Sequence, residues 1–366
     1  MTYRKIIKKL IALLLIPLGA VLVHFSSKRP DLVEILFSEG AYPYIGGIIS
    51  RATGIFTFSV AEIAVSLVIS VFVIYTISTI IKSFFTGGIN FAPLLKYLTN
   101  IIIIASVIFF TFLVTWGLNY YRMPFADIAG LEVKPASAAE LESLCNTLIN
   151  KANGLRLSVD TDSEGNMDIP GSSRDILNNC YKGYDAISDR YPYLRGNYGS
   201  PKPVFLSELM NYTGICGVYF PFTGEANVNV SIPDSALPYS ALHEMAHQRG
   251  FSREDEANYI SYLACTVHPD VNFKYSGTLL ALTNSMNALY KNDFSAFTKL
   301  YENYSDGVRH DLEKLDEFWE RYEGPVERTT DKINDAYLKA NRQKDGVQSY
   351  GRMVDLLIAE HRQAEK

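Results

Sequence analysis

The chain has 366 residues and a formal net charge of −5, without the basic footprint that nucleic acid requires, so no nucleic-acid partner is expected. Its length accommodates a membrane region plus one soluble domain of ordinary size. The composition is uneven: before about residue 120 the chain is mostly apolar, and beyond it charged and turn-forming residues are interspersed as in a soluble domain.

The basic start MTYRKIIKK leads into LIALLLIPLGAVLV. The following VHFSSKRP offers no small-x-small cleavage site, which predicts an uncleaved first span over about residues 6–25. Two further runs, at about 58–82 and 97–118, are each long enough to cross a hydrocarbon core of about 30 Å as a helix. Both are rich in β-branched residues, but strands rarely exceed about ten residues, so length decides for helix. Arg4, Lys5, Lys8 and Lys9 before the first span, with Lys82 and Lys96 between the second and third, place those ends in the cytoplasm. Lys28, Arg29 and Arg51 pull weakly the other way. Three crossings make this a multi-pass cell-membrane protein with the lipid bilayer as a partner: a transmembrane region, 1–120, and an extracytoplasmic domain, 121–366. Between the first two spans, GAYPYIGGIISRATGIFTFS is too broken by Gly and Pro to cross, and is expected at the interface or against the external domain. Glu62, early in the second span, is expected at headgroup level. Cys145, Cys180, Cys216 and Cys265 would face a disulfide-permissive space; no pairing is readable, and free buried thiols are the equal alternative.

In the soluble part, residues 137–153 read as a helix capped by Ser137, and residues 173–190 as a second. DTDSEGNMD (160–168) carries the acids of a calcium-loop start, but Gly171 stands where the bidentate Glu belongs, which leaves an acidic turn. KPVFLSELMNYTGICGVYFPFTGEANVNVSIP is the one substantial β-region. From residue 238 onward nearly everything is helical, so the class is α+β with helices dominant.

ALHEMAHQRGFSREDEAN, residues 241–258, carries the chemistry. Residues four apart share a helix face, so His243 and His247 can offer two imidazole nitrogens to one cation, the set that zinc prefers. Glu244 faces the same cleft, where it can take a proton from a water that the metal polarises. With six histidines in the chain, HExxH is expected on the order of 0.005 times by chance. One Zn2+ per chain is therefore the expected cofactor, and a third ligand must come from elsewhere. A metzincin would place His six residues after His247, but position 253 is Arg. Glu254, Asp255 and Glu256 follow instead. Ser252 and Asp255 read as a capping box that opens a new helix. That leaves Glu254 or Glu256, which point about 200° apart on a helix. Glu254 is the first choice, because Asn258 lies one turn further on its face and can orient a ligand imidazole; Glu256 is the alternative.

HEMAH followed by E-x-E-A-N resembles the glutamate-zincin metallopeptidases, in several of which the third ligand heads an E-x-x-A-[DN] pattern, here Glu254, Ala257 and Asn258. HEMAHQRGFSREDEANYISYLAC, GVYFPFTGEANVNV and YLKANRQKDGVQSYGRMVDLL also resemble an uncharacterised family of bacterial multi-span membrane proteins, a domain of unknown function. The gap from His247 to Glu254, seven residues, is shorter than is common in glutamate zincins. The resemblance implies a helix-dominated, zincin-like catalytic domain that hydrolyses a peptide or protein substrate. It also implies that EANVNVSI is the edge strand receiving that substrate, with Asn227 and Asn229 lining the cleft, and that a side chain such as Tyr219, His310, Tyr275 or Tyr350 assists the oxyanion. Two alternatives stand beside the peptidase: a non-catalytic zinc-binding protein recognising a partner or cell-wall component, and a zinc amidase acting on cell-wall peptide.

Overall fold

The structure, a computed structural model, describes residues 3–85 and 90–364, with side chains from residue 7 onward. Of the basic residues invoked for orientation, the side chains of Arg4 and Lys5 lie outside that description. Helix α1 is Tyr3–Lys28, α2 is Tyr42–Gly54, α3 is Val60–Phe84 and α4 is Ala92–Thr115. Among the described residues three segments, Ile7–Lys28, Val60–Phe84 and Ala92–Thr115, are long and apolar enough to cross a membrane. Their side chains are largely exposed, as lipid-facing surfaces are, which marks a membrane protein. The third begins five residues earlier than its hydropathy indicates, because Pro93 in the first turn is pre-set for a helix start. Ser106 donates to the carbonyl of Ala12 at 2.6 Å and ties α4 to α1.

The connection between the first two spans is helical. After Pro30–Val33 the chain winds as a π-helix through Glu34–Ala41 and then as α2. This segment packs on the soluble part: Tyr42 is fully buried and donates its hydroxyl to the carbonyl of Gln248 at 2.7 Å. Glu62 accepts the backbone N–H groups of Phe205 and Leu206, at 2.8 and 2.9 Å.

Beyond the spans, α5 is Ala138–Arg156, opened by a capping box between Ser137 and Glu140. The helix expected over 173–190 is divided at Cys180 into Ser173–Asn179 and Tyr181–Ile187. A three-stranded sheet follows, with β1 Lys202–Pro203, β2 Gly217–Phe220 and β3 Glu225–Val228, in the order β1-β3-β2. β3 is parallel to β1 and antiparallel to β2. Next come α6 Leu237–Gln248, α7 Glu254–Val267, α8 Val271–Asn292, α9 Pro325–Ala340 and α10 Met353–Ala364. The protein is helix-dominated with few strands. Its core lies where α8 meets α5 and α7, and α6 is sandwiched between α7 and the sheet. All four cysteines are free thiols, three of them buried.

Candidate metal site

Helix α6 holds its polar residues inside the protein. Ala241, Leu242, Met245 and Ala246 bury the apolar side, yet His243, Glu244, His247 and Gln248 are also all under a tenth exposed. Buried polar groups must find partners, and the partners define the site. His243 Nδ1 lies 2.7 Å from Asn258 Oδ1, and His247 Nδ1 lies 2.7 Å from the carbonyl oxygen of Phe251. A carbonyl only accepts, so His247 Nδ1 carries a proton, which fixes the ring with Nε2 turned toward the cluster. The Asn258 amide is fixed the same way: its Nδ2 donates to the Tyr350 carbonyl at 3.1 Å, which turns Oδ1 to His243. Both Nε2 atoms then converge on one oxygen, Glu254 Oε2, at 3.1 and 3.4 Å. The three donor atoms lie within 4.8 Å of one another. Burial pushes the Glu254 carboxyl up, but His247 and His243 outweigh it and hold it well below the usual range. Burial lowers the His247 pKa, and the Glu254 carboxylate reverses this and lifts it to about 9.

The turn after α6 delivers this geometry. Gly250 sits at φ 82°, where a Cβ would also come 2.9 Å from the Tyr42 ring, so the close approach of the membrane region depends on glycine here. Helix α7 starts at Glu254, and the expected capping box is not formed. Arg253 is the N-cap residue and its side chain makes no capping bond, and Ser252 Oγ has no partner among the described residues. The Glu254 N–H instead donates to Gln343 Oε1 at 3.0 Å, so the cap is supplied from the C-terminal tail. Asp255 has a carboxyl pushed up to about 7 by burial and the neighbouring Glu256. Glu256 points away from the cluster, accepting from Phe125 N–H at 2.8 Å and from Arg253 at 2.5 Å.

Glu244 stands beside the cluster. Its carboxyl packs against Gly217 so closely that a Cβ there would lie 2.6 Å from Oε1, and Oε2 has no hydrogen-bond partner among the described residues. Burial raises its pKa, against the pull of His243 and His247. The cleft that it faces has two lobes, of about 330 and 370 Å3, sharing His243, Glu244, Gly217 and Tyr350. One wall is β2, and the other is α9 with Tyr350, whose ring stacks on His243 at 6.3 Å between centroids.

A family model described as a protein of unknown function (DUF3810) matches residues 37–358. The chain belongs to the DUF3810 family. No curated protein and no solved structure matches it. The matched region holds α2 through the first turns of α10, and with them every residue of the cluster.

Several expectations need correction. EANVNVSI is not an edge strand, because β3 is the middle strand and pairs on both sides; β1 and β2 are the edges, and of these β2 borders the cleft. Asn227 and Asn229 do not line the cleft. Asn227 accepts from Ser59 Oγ at 2.6 Å and donates to the Val218 carbonyl at 3.1 Å. Asn229 donates to Asn211 at 2.6 Å and is fully buried. Tyr219 does border the cleft, with its hydroxyl 3.2 Å from that of Tyr42. Tyr275 donates to Asp311 at 2.7 Å, a core contact, and His310 is not among the cleft-lining residues. Gly217, Gln343 and Trp116 went unnoticed in the sequence; of these, only Trp116, at the end of an apolar run, carries a visible signal.

Because Asn258 orients His243, Asn258→Ala is expected to weaken divalent-metal affinity about 10–100-fold while leaving the melting temperature nearly unchanged. Competition against a chromogenic chelator measures this, and unchanged affinity would remove Asn258 from the site.

Proposed function

We propose that this chain is a membrane-anchored zinc metallopeptidase with a zincin-like catalytic domain, 121–366, on the extracytoplasmic side of the cell membrane. One observation carries the reading: two imidazole Nε2 atoms and a carboxylate converge in a cleft beside a second carboxylate, Glu244, that keeps a buried oxygen without a partner among the described residues. The donor set of two nitrogens and one oxygen fits a catalytic zinc site, which takes three protein ligands and keeps one position open. His243, His247 and Glu254 would hold the ion. When bound, it lowers the pKa of a water toward about 7 and polarises an amide carbonyl.

The chain's own residues supply the remainder. Glu244 Oε2 takes the proton of the attacking water and returns it to the leaving amine. Gly217 makes room for that carboxylate at the strand edge. The unpaired edge of β2 receives an extended substrate through main-chain hydrogen bonds. Tyr350 lines the cleft on the wall opposite β2, and its hydroxyl is the donor assigned here to a developing oxyanion. Lys82 in the last turn of the second span and Lys96 near the start of the third support a cytoplasmic connection there, and hence an external cleft.

Purified protein is expected to contain about one zinc per chain, and to cleave a peptide library presented beside cell-wall fragments. A chelator should abolish cleavage and added zinc restore it. Cleavage confined to the cell-wall fragments would make it an amidase. Absence of any bound divalent metal with His243 and His247 intact would sink the reading, and a cytoplasmic signal from a C-terminal topology reporter would overturn the orientation.

A further inference from the structure

The site lies against the ends of two membrane-spanning helices with no linker between. Trp116, the first residue after α4, donates its indole N–H to the His247 carbonyl at 3.1 Å, and its ring is 6.3 Å from the His247 imidazole. Tyr120 follows on the same wall, its hydroxyl 2.9 Å from that of Tyr337. α3 begins as directly. Glu225 in β3 accepts the N–H groups of Val60 and Ala61, at 3.1 and 2.7 Å, and Ser59 donates to Asn227. The sheet and helix that carry the cluster are thus capped onto the spans themselves.

The soluble part is also apolar on that side, and it descends beside a span. Phe205 is 90 % exposed and Leu209 61 %. Phe205 and Leu206, hydrogen-bonded to Glu62, border a groove along α3 that passes Ser66 and reaches Ser70. At 1.5 Å per residue, Ser66 lies roughly 9 Å along the helix from its start at Val60. A bare phenylalanine beside the interior of an apolar span faces lipid, and exposed apolar surface of this kind marks a membrane contact. Ile55, Phe56 and Phe58, all exposed, extend the collar.

We infer that the substrate is the juxtamembrane stretch of another membrane-bound polypeptide, cut within the first few residues outside the hydrocarbon. This rests on the hydrolase reading above. A bond held at the cluster is one indole's width from the end of α4, so an extended chain leaving the bilayer reaches β2 at once. The lobe on that side is walled by Trp116, Tyr120, Val218, Tyr219 and Ile333, which suits the apolar and aromatic residues that flank spans. The reaction is plain hydrolysis: the amide C–N bond breaks, hydroxide joins the carbonyl carbon and a proton joins the leaving nitrogen.

The test uses the full zinc-loaded chain in liposomes with a pool of randomised quenched peptides. These are offered free, or fused to a synthetic transmembrane helix through spacers of about 5 or 25 residues, roughly 17 and 85 Å of extended chain. The short-spacer pool should be cut at least about tenfold faster than the long-spacer pool, a comparison that cancels the concentrating effect of anchoring itself. Equal rates for the two spacers, or a free pool cut as fast as the short-spacer pool, would overturn the inference. Photo-crosslinking of the same pools to Glu244→Gln protein gives a readout independent of turnover. Spacer-dependent crosslinking without hydrolysis by the unaltered chain upholds the membrane-proximal cleft and removes the hydrolase. Hydrolysis with crosslinking indifferent to spacer does the reverse.

Discussion

Glu244→Gln is expected to keep the metal and lose hydrolysis. The substitution is nearly isosteric, and Glu244 is not one of the three converging donors, so metal content should stay at that of the unaltered chain. What disappears is a proton acceptor beside Gly217, and loss of a general base typically costs about 10²–10⁴-fold in rate. The loss should fall on kcat with KM little changed, because the amide retains the shape of the cleft. Stopped assays on the peptide pool together with elemental analysis of the same preparation measure both halves. If the variant hydrolyses peptide at the rate of the unaltered chain, Glu244 is not the base. If a strain carrying Glu244→Gln behaves normally, the cluster serves binding rather than chemistry.

The second large effect concerns stability. Arg122 and Glu34 form an ion pair with side chains 2 % and 6 % exposed, Arg122 Nε lying 3.0 Å from Glu34 Oε2. Arg122 also donates to the Gly250 carbonyl at 3.1 Å and lies over the Phe251 ring at 3.8 Å, and Glu34 accepts the Met123 N–H. The pair therefore joins the π-helical segment to the turn after α6. Removing one partner leaves a buried charge without compensation, which costs about 3–5 kcal/mol. Glu34→Leu should accordingly lower the melting temperature of the detergent-solubilised chain by several degrees. Glu34→Leu combined with Arg122→Met should recover much of the loss, because an apolar pair of similar volume has no charge to desolvate. A single variant that melts with the unaltered chain would show that the pair contributes nothing, and a double variant no better than the single would show that its value lies in the hydrogen bonds to Gly250 and Met123.

What the sequence made legible was local. His243 and His247 are one helical turn apart, and Glu254 and Asn258 another, so their shared faces follow from helix geometry alone. The three spans followed from length and apolarity, and the cap at Ser137 from a four-residue pattern. The misreadings were of pairing and of distance along the chain. EANVNVSI alternates as a strand does, and the resemblance made that strand an edge, but its second neighbour, β1, is two residues long and leaves no periodic trace. Asn227 and Asn229 carry amides fit for a cleft, yet those amides are spent on Ser59, Val218 and Asn211. Ser252 and Asp255 match a capping box, but the helix starts one residue later, with Arg253 at the N-cap, and the N–H of Glu254 is taken by Gln343, far along the chain.

That last contact carries a consequence for biogenesis. Glu254 is held by Gln343, and Asn258 by the Tyr350 carbonyl, so two supports of the cluster come from far along the chain. During synthesis all three spans and the HEMAH helix leave the ribosome well before those residues do. A nascent chain thus has both histidines already translated while the third member of the cluster, Glu254, is still unsupported. Assembly of the cluster waits for a residue 89 positions beyond Glu254, long after the motif itself has been translated.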